Sequence, residues 1–435
     1  MRLAHARQKR AVLVVWDSLR ADLVSPEFTP KLAALRPTFS EFSAHATVFP
    51  STTRTASASI ATGSLPAHHG LHGNAMALDE GKGLVCLSTG KADFRERLRK
   101  AKGRTLLRPT LAQRLAGDGG CIVFSNASPG AAYFQDPDGH GFVYNRAGSY
   151  GPGLKPVAAE DGLAAPKGIE GDRAVTDRFC DEVLRQRRPA LSVLWLSEPD
   201  NTGHHNPLAG PEHRKAMAAS DTCFSHVVEC VDRYLGEDTL IVTGSDHGQE
   251  TTDRIIPIEQ LLVDAGLKQS LDSSDVVVAS QGTAALVYLS GEARPRLTAL
   301  RRFFESQDWM GSVASGPELA SLGMDASESL ALAVSLRKSE ANNAFGVPGL
   351  SDLAMNRTED VNNAGCGQHG GLGAWEMRPF LFIRGSGFRA GETRSDDTRI
   401  TDIAPTILHH LGQPRAGMDG SPLQRDIGRR THDDT

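Results

Sequence analysis

The sequence predicts an α/β fold: a doubly wound, mostly parallel sheet flanked by helices, with a smaller α/β cap insertion. Short β-rich runs end abruptly at polar or glycine-rich segments, as buried parallel strands do when they deliver loops to one sheet edge. Helical patterns lie between these runs, and apolar residues recur at helical spacing over 211–235. Strands that alternate with helices are typical of a doubly wound sheet. The predicted strands cover residues 11–16, 121–124, 191–196, 240–243 and 379–383.

The length of 435 residues favours one large core with a smaller module over two equal domains. The segment 255–363 has strand and helix signals of its own, at 276–278, 284–289 and 295–304. We therefore expect a core formed by residues 1–254 and 364–435, with residues 255–363 inserted as a cap. The glycine-rich stretch 127–171 is predicted to be a loop.

The charge pattern argues against binding to a nucleic-acid duplex. The 47 basic and 52 acidic residues are spread along the chain and give a net charge of −5, without the basic stripe that such binding requires. The apolar run 11–16 is too short for a signal peptide or a membrane span. The six cysteines show no CxxC spacing, so neither a disulfide framework nor a thiolate zinc site is indicated. We predict a cytoplasmic protein without membrane contact, and the oligomeric state stays open.

Each of three predicted strands is followed by an acidic residue. Two of these acids have a histidine nearby, and a further histidine lies in a separate glycine-rich segment. In doubly wound sheets, ligands gather outside the carboxyl ends of the strands, so we expect these side chains to face one crevice. Carboxylate oxygens and imidazole nitrogens together suit zinc, and flanking glycines let the backbone approach an ion. The candidates are Asp17, Asp200, His204, Asp246, His247 and His369.

Further motifs lie at 14–20, 49–53, 61–63, 69–74 and 401–407. Together with the acid and histidine fragments, in this order, they resemble the alkaline phosphatase superfamily. Within it, the chain resembles the nucleotide pyrophosphatase/phosphodiesterase and phosphonoacetate hydrolase branches. The resemblance runs from Val12 to Leu423 and matches only loosely over the predicted cap. It implies an alkaline phosphatase-like fold and two divalent metal ions, with zinc expected and manganese or iron as alternatives.

The resemblance assigns the six candidate ligands to two ions. All six positions hold the residue types of the family. One ion is assigned to Asp200, His204 and His369, and the other to Asp17, Asp246 and His247, with the nucleophile touching the second ion through its oxygen.

Several hydroxyl residues of the segment 51–55 are chemically eligible as the nucleophile, and spacing alone does not choose among them. The resemblance selects Thr53, because the family's nucleophile stands about nine positions before the threonine of a Thr-Gly pair, here Thr62-Gly63. A threonine hydroxyl needs activation, and contact with a divalent cation supplies it without a separate general base.

Two further residues are candidates for binding the substrate. The resemblance implies that the amide of Asn74 donates to a non-bridging oxygen of the substrate. The relatives tend to carry proline and asparagine after the nucleophile, whereas this chain has Arg54, Thr55 and Ala56. The substrate pocket is therefore expected to differ, and Arg54 could pair with an anionic substrate group through its planar guanidinium.

The function expected from the resemblance is hydrolysis of a phosphodiester or nucleotide pyrophosphate through a covalent phosphothreonine. A carbon–phosphorus hydrolase similar to phosphonoacetate hydrolase is the first alternative. The others are a phosphomonoesterase, a mutase or transferase, and a catalytically silent metal-binding homologue. In each enzymatic case the partner is a small anion that contains phosphorus.

Overall fold

A computed structural model describes residues 9–326, 329–357 and 362–425. Its largest sheet has ten strands, and the predicted doubly wound, mostly parallel sheet is confirmed. The run predicted at 379–383 pairs antiparallel with its neighbour rather than parallel. The five parallel central strands are Thr239–Gly244, Arg10–Trp16, Leu191–Leu196, Cys121–Ser125 and Phe142–Asn145. Leu381–Arg384, Ser40–Phe42 and Thr393–Arg394 extend one edge, and Tyr150–Gly151 and Lys155–Pro156 the other.

Helices cover both faces of this sheet. Alternate residues of the strand Arg10–Trp16 point into two separate cores, Leu13 and Val15 into one and Val12 and Val14 into the other. The first core includes residues of the helices Thr53–Thr62, Leu111–Arg114, Pro129–Tyr133 and Ile403–His410. The second includes residues of Pro30–Leu35, Ile169–Arg178, its π-helical continuation Phe179–Arg187, and Pro211–Tyr234.

The segment predicted as a cap contains a second, antiparallel sheet. Its strands are, in order, Val276–Ser280, Ala284–Leu289, Leu330–Leu336 and Met310–Ser315. The hairpin Ala75–Asp79 and Leu84–Ser88 lies against the first of them. The described part of this segment contains the α-helices Ile258–Asp264, Leu297–Glu305 and Glu318–Ser321 and the 3-10 helix Gly291–Arg296.

A third sheet combines strands from both sides of the predicted domain boundaries. Its order is Lys338–Asn342, Pro348–Ala354, Glu250–Ile256 and Gly367–Gln368. The division at 254 and 363 therefore stays a prediction. A small ladder joins Thr398–Arg399 to His45–Ala46, and short helices lie at Pro66–His69, Phe94–Lys102 and Asp200–Gly203.

The stretch 127–171, predicted as a loop, contains the helix Pro129–Tyr133 and the sheet strands from Phe142 to Pro156. Ser128 caps this helix by accepting a hydrogen bond from the backbone N–H of Ala131. Within the described residues, none of the helices has the length and apolar composition needed to cross a bilayer. Cytoplasmic location stays a prediction from the sequence.

Candidate active site

The three acid-bearing strand ends meet at one edge of the main sheet. Asp17 directly follows Arg10–Trp16, and Asp246 follows Thr239–Gly244, its parallel neighbour. Asp200 opens a short helix after Leu191–Leu196, the parallel neighbour on the other side. His369 follows the strand Gly367–Gln368 of the smaller sheet. Asp17, Thr53, Arg54, Asn74, Asp200, His204 and His369 all line one pocket of about 260 Å³.

One group of ligand atoms forms around His247. Its Nε2 lies 3.2 Å from Asp246 Oδ2 and 3.6 Å from Asp17 Oδ1. One ligand atom from each of these three residues lies within 4.8 Å of the others. Asp246 Oδ1 accepts a hydrogen bond from the backbone N–H of Ser18, whereas its Oδ2 is buried without a hydrogen-bond partner. A buried carboxylate oxygen of this kind fits a metal ligand, because a cation would offset its lost hydration.

A second group adjoins the first. Asp200 lies 3.3 Å from His204 Nε2 through Oδ2 and 3.6 Å from His369 Nε2 through Oδ1. The ligand atoms of Asp200, His247 and His369 also lie within 4.8 Å of one another. The rings of His247 and His369 stack with their centroids 3.9 Å apart. His247 therefore stands between the two groups, which together are compact enough for two neighbouring ions.

Backbone carbonyls orient all three imidazoles in the same way. Nδ1 of His204 is 3.2 Å from the carbonyl oxygen of Gly367, and Nδ1 of His369 is 2.8 Å from that of Ser51. Nδ1 of His247 is 2.9 Å from the carbonyl oxygen of Gly248. A carbonyl oxygen only accepts, so each Nδ1 donates a proton and Nε2 presents its lone pair to the cluster. This arrangement is typical of histidines that bind metals.

The electrostatics of the cluster favour a bound cation. Burial, together with neighbouring Asp246 and Asp200, raises the pKa of Asp17 well above its ordinary value. Burial also raises the pKa of Asp246 and lowers that of His369 well below its ordinary value. Against the effect of burial, the imidazoles of His204 and His369 hold the pKa of Asp200 low. Divalent cations would keep these carboxylates ionised and the imidazoles neutral.

Thr53 is the hydroxyl of its segment that faces the cluster. It is the first residue of Thr53–Thr62, and its Oγ1 lies 3.0 Å from His247 Nε2 and 3.4 Å from Asp17 Oδ1. The hydroxyl of Ser51 donates to the carbonyl oxygen of Gly371, and that of Thr52 donates to Thr55 Oγ1. These contacts distinguish Thr53 from Ser51 and Thr52, which spacing alone does not.

Asn74 and Arg54 are linked to each other beside Thr53. The amide oxygen of Asn74 accepts a hydrogen bond from the backbone N–H of Arg54 at 3.1 Å, which leaves the NH2 end of the amide for a ligand. The guanidinium of Arg54 donates to the carbonyl oxygen of Asn74 and to Ser128 Oγ. Arg54 is buried and forms part of the pocket wall, so its charge acts on whatever the pocket binds.

Several pocket residues were missed in the sequence. Asn126 and Ser128 follow the strand Cys121–Ser125, and Arg146 follows Phe142–Asn145. The strand-end rule that identified the acids would also have pointed to Asn126 and Arg146, had the second strand been recognised. Lys167 carries no such signal. Together, Arg54, Arg146 and Lys167 give the pocket lining three cationic side chains.

Other residues that were not predicted from the sequence form hydrogen bonds with the candidate ligands or with Asn74. The indole Nε1 of Trp195 donates to Asp17 Oδ2 at 3.2 Å, and the amide of Gln249 donates to Asp200 Oδ1 at 2.9 Å. Gln281 accepts a hydrogen bond from the backbone N–H of Asn74 at 2.7 Å. Of these, Gln249 stands closest in sequence to a candidate ligand, two residues after His247.

A larger, mainly apolar cavity of about 570 Å³ borders the pocket. The two share Ser280 and Asn356 in their linings. Val85 and Met355, two large apolar side chains that are partly exposed, line the cavity. An apolar substituent on a substrate held in the pocket would find a surface to contact there.

Comparisons with known proteins identify the family and the fold. The family model for type I phosphodiesterase / nucleotide pyrophosphatase matches residues 11–303. The structure of murine ectonucleotide pyrophosphatase / phosphodiesterase 5, an inactive variant in complex with AMP, is 18% identical with a TM-score of 0.67, covering 95% of this chain and 97% of that one. The human form is 16% identical with the same TM-score and coverage. Wild-type alkaline phosphatase PafA is 14% identical with a TM-score of 0.71, covering 97% and 99%. At these identities the structures show a shared fold.

Proposed function

The chain belongs to the type I phosphodiesterase / nucleotide pyrophosphatase family of the alkaline phosphatase superfamily, and from this premise we propose that it hydrolyses phosphodiesters or nucleotide pyrophosphates with two divalent metal ions. The candidate ligands are Asp17, Asp246 and His247 for one ion and Asp200, His204 and His369 for the other. The observation that carries the proposal is the position of Thr53 Oγ1, 3.0 Å from His247 Nε2 and beside Asp17.

Thr53 acts in this proposal as the nucleophile. Its oxygen attacks the phosphorus, the bond from phosphorus to the leaving oxygen breaks, and a phosphothreonine forms. Water then cleaves the phosphothreonine and restores the hydroxyl. Bound divalent cations would favour the alkoxide of threonine and neutralise the leaving oxygen. Asn74 would donate its amide to a non-bridging oxygen, where negative charge grows in the transition state.

The pocket surroundings support an ester with an organic leaving group. The 260 Å³ pocket has room for a phosphoryl group and its immediate substituents, and the apolar cavity adjoins it at Ser280 and Asn356. A diester or pyrophosphate could place its second substituent against that surface. Zinc is the expected metal, because the ligands combine carboxylate and imidazole.

A second candidate is hydrolysis of a small dianion, as in the phosphonoacetate hydrolase-like alternative. The observation that favours it is the set of three cationic side chains in the pocket lining, Arg54, Arg146 and Lys167. Such a set would attract a second anionic group of the substrate. A phosphomonoester carries the same extra charge and would benefit in the same way.

A hydrolysis panel separates these candidates. The zinc-loaded protein is assayed with a bis-aryl phosphodiester, an aryl phosphomonoester, a nucleotide and phosphonoacetate. The proposal predicts the highest kcat/KM for the diester or the nucleotide. Turnover confined to phosphonoacetate would replace it with the second candidate. No turnover of any substrate by fully loaded protein would indicate a silent homologue.

The nucleophile is tested by Thr53→Ala. We expect this variant to lose turnover while its zinc content stays near normal, since the six other ligands are retained. Thr55→Ala is the matched control, because Thr55 is buried in the same helix and bonded to Thr52 outside the pocket lining. Activity retained in Thr53→Ala would show that another group attacks the phosphorus.

A further inference from the structure

Two cysteines and a histidine meet on the helical layer that covers one face of the main sheet, away from the active-site pocket. Cys180 lies in the π-helical segment Phe179–Arg187, and His226 and Cys230 lie one turn apart in Pro211–Tyr234. One ligand atom from each of the three lies within 4.8 Å of the others. Asp177, on Ile169–Arg178, lies beside His226. We call these four residues the thiolate cluster.

The distances in the thiolate cluster suit a tetrahedral ion. Cys230 Sγ is 3.9 Å from His226 Nε2, and that nitrogen is 3.8 Å from Asp177 Oδ1. In a tetrahedral zinc site with bonds of about 2.3 Å to sulfur and about 2.0 Å to nitrogen, the sulfur and the nitrogen are about 3.5 Å apart. The separation between Cys230 Sγ and His226 Nε2 needs to shorten by only a few tenths of an ångström. Asp177 and Cys180 are three residues apart, and His226 and Cys230 are four residues apart. At these spacings the two members of each pair lie on the same side of their helix.

We propose that Cys180, His226 and Cys230, with Asp177 as the fourth ligand, bind a structural zinc ion that cross-links these two helices. Two thiolates, one imidazole and one carboxylate are a ligand set typical of zinc. Binding would displace one proton from each thiol to solvent. The ion would then be held by two thiolate sulfurs, one imidazole nitrogen and one carboxylate oxygen.

Burial of the two thiols agrees with a closed structural site. Cys180 is 3% exposed and Cys230 is 6% exposed, whereas His226 and Asp177 reach the surface and give an ion a path of entry. Burial raises the pKa of both Cys180 and Cys230, so each thiol must lose its proton when the metal binds. Zinc affinity should therefore fall as the pH is lowered.

The two helices joined by the thiolate cluster also hold the segment that leads to Asp200. Asp172, on the same helix as Asp177, accepts hydrogen bonds from the backbone N–H groups of Ser197 and Glu198, each at 3.0 Å. Ser220, on the other helix, donates to the carbonyl oxygen of Glu198 at 3.2 Å. Asp172 and Cys180 are roughly 12 Å apart along the helix, at the usual rise per residue. A zinc cross-link here would stabilise the support of the active site without entering its chemistry.

Cobalt spectroscopy on the full-length protein tests the proposal. Metal is removed under anaerobic conditions and Co²⁺ is titrated back, while the thiolate-to-cobalt charge-transfer absorption is recorded. The proposed active-site ligands contain no sulfur, so this band reports the thiolate cluster alone. Its outcome is therefore independent of the test of the proposed hydrolase activity. We expect the amplitude of the band at saturation to correspond to one thiolate-bound cobalt per chain.

Alanine variants locate the band. Cys180→Ala and Cys230→Ala should each abolish or strongly weaken the band. Cys121→Ala should leave it unchanged, because Cys121 is buried on the opposite face of the main sheet from the thiolate cluster. His226→Ala removes a ligand at the surface and should lower cobalt affinity about 10-fold or more with the fold intact by circular dichroism. Absence of the band in wild-type protein would overturn the proposal, as would its persistence in both cysteine ligand variants. A Cys180–Cys230 disulfide in protein prepared under reducing conditions, detected by mass, would also overturn it.

Discussion

A buried histidine can bind a metal through either ring nitrogen, and in the active-site pocket backbone carbonyls remove this choice. The carbonyl oxygens of Gly367, Gly248 and Ser51 each fix one Nδ1 as the donor. The lone pairs that remain all belong to Nε2 atoms within one cluster. Because the backbone provides this orientation, the ligands are prepared before a metal binds, and little side-chain entropy is lost on binding.

Trp195 tests how far such preparation controls metal affinity. Its indole donates to Asp17 Oδ2, and Trp195→Phe would remove this hydrogen bond while keeping most of the buried ring. We expect zinc affinity at the Asp17 group to fall about 10- to 100-fold. Competition with a chelator of known affinity measures it. Trp16→Phe is the matched control, because this fully buried indole donates to Thr243 instead of a ligand. Equal affinities in the two variants would show that the hydrogen bond to Asp17 has no such role.

Asn74→Ala tests the proposed contact with the substrate. Loss of one donor to the developing oxyanion typically lowers the rate about 10²- to 10³-fold, and we expect a loss of this size in kcat/KM. The zinc content should not change, since Asn74 is not among the ligands. Steady-state kinetics and metal analysis on the same preparation measure both. A rate close to that of the wild type would exclude Asn74 from transition-state binding.

At the scale of elements, the hairpin that follows Asn74 depends on close contact with the predicted cap. A Cβ atom on Gly73 would lie 2.1 Å from Gln281 Oε1. That oxygen accepts the hydrogen bond from the backbone N–H of Asn74, and Gln281 Nε2 donates to the carbonyl oxygen of Ala75. One residue at the end of Val276–Ser280 thus positions the start of the hairpin.

Gly73→Ala should therefore reduce activity through displacement of Asn74. We expect a loss of kcat/KM comparable to that of Asn74→Ala, because Gln281 must move or the hairpin must shift. Gly117→Ala is the matched control, since a Cβ atom there meets nothing within 4 Å and its backbone has no positive φ. If both glycine variants keep full activity, the contact with Gln281 does not position Asn74.

The long elements could be predicted from the sequence, and several short ones could not. The apolar periodicity over 211–235 predicted a helix, and the structure has one from Pro211 to Tyr234. The strand predicted at 191–196 is the observed strand Leu191–Leu196. The region 127–171 lacked such a pattern, because its helix has five residues and its strands have four or fewer. Elements of this length bury too few side chains to leave a periodic signal, and pairing with distant strands stabilises them.

At the scale of the whole molecule, the site joins parts of the chain that are far apart in sequence. Ser51 stands two residues before the proposed nucleophile. Its carbonyl oxygen contacts His369 Nδ1, and its hydroxyl donates to the carbonyl oxygen of Gly371. Strand ends and residue types sufficed to predict that the three acids lie close together, because the carboxyl ends of parallel strands share an edge. His369 follows a two-residue strand of another sheet, so its glycine-rich segment made it a candidate ligand and the resemblance assigned it to one of the two ions. Of the missed cationic residues of the pocket, Arg146 follows a four-residue strand that is too short to leave a periodic signal, and Lys167 lies in a segment between the named helices and strands.

The central claim is that six side chains hold two ions beside Thr53, and anomalous diffraction from crystals of the zinc-loaded protein tests it most directly. We predict two zinc peaks in the pocket, about 4 Å apart. One should lie about 2.0–2.2 Å from its ligand atoms on Asp17, Asp246 and His247 and in reach of Thr53 Oγ1, and the other equally close to Asp200, His204 and His369. A single peak, no peak, or two peaks that Thr53 Oγ1 cannot reach would contradict the account.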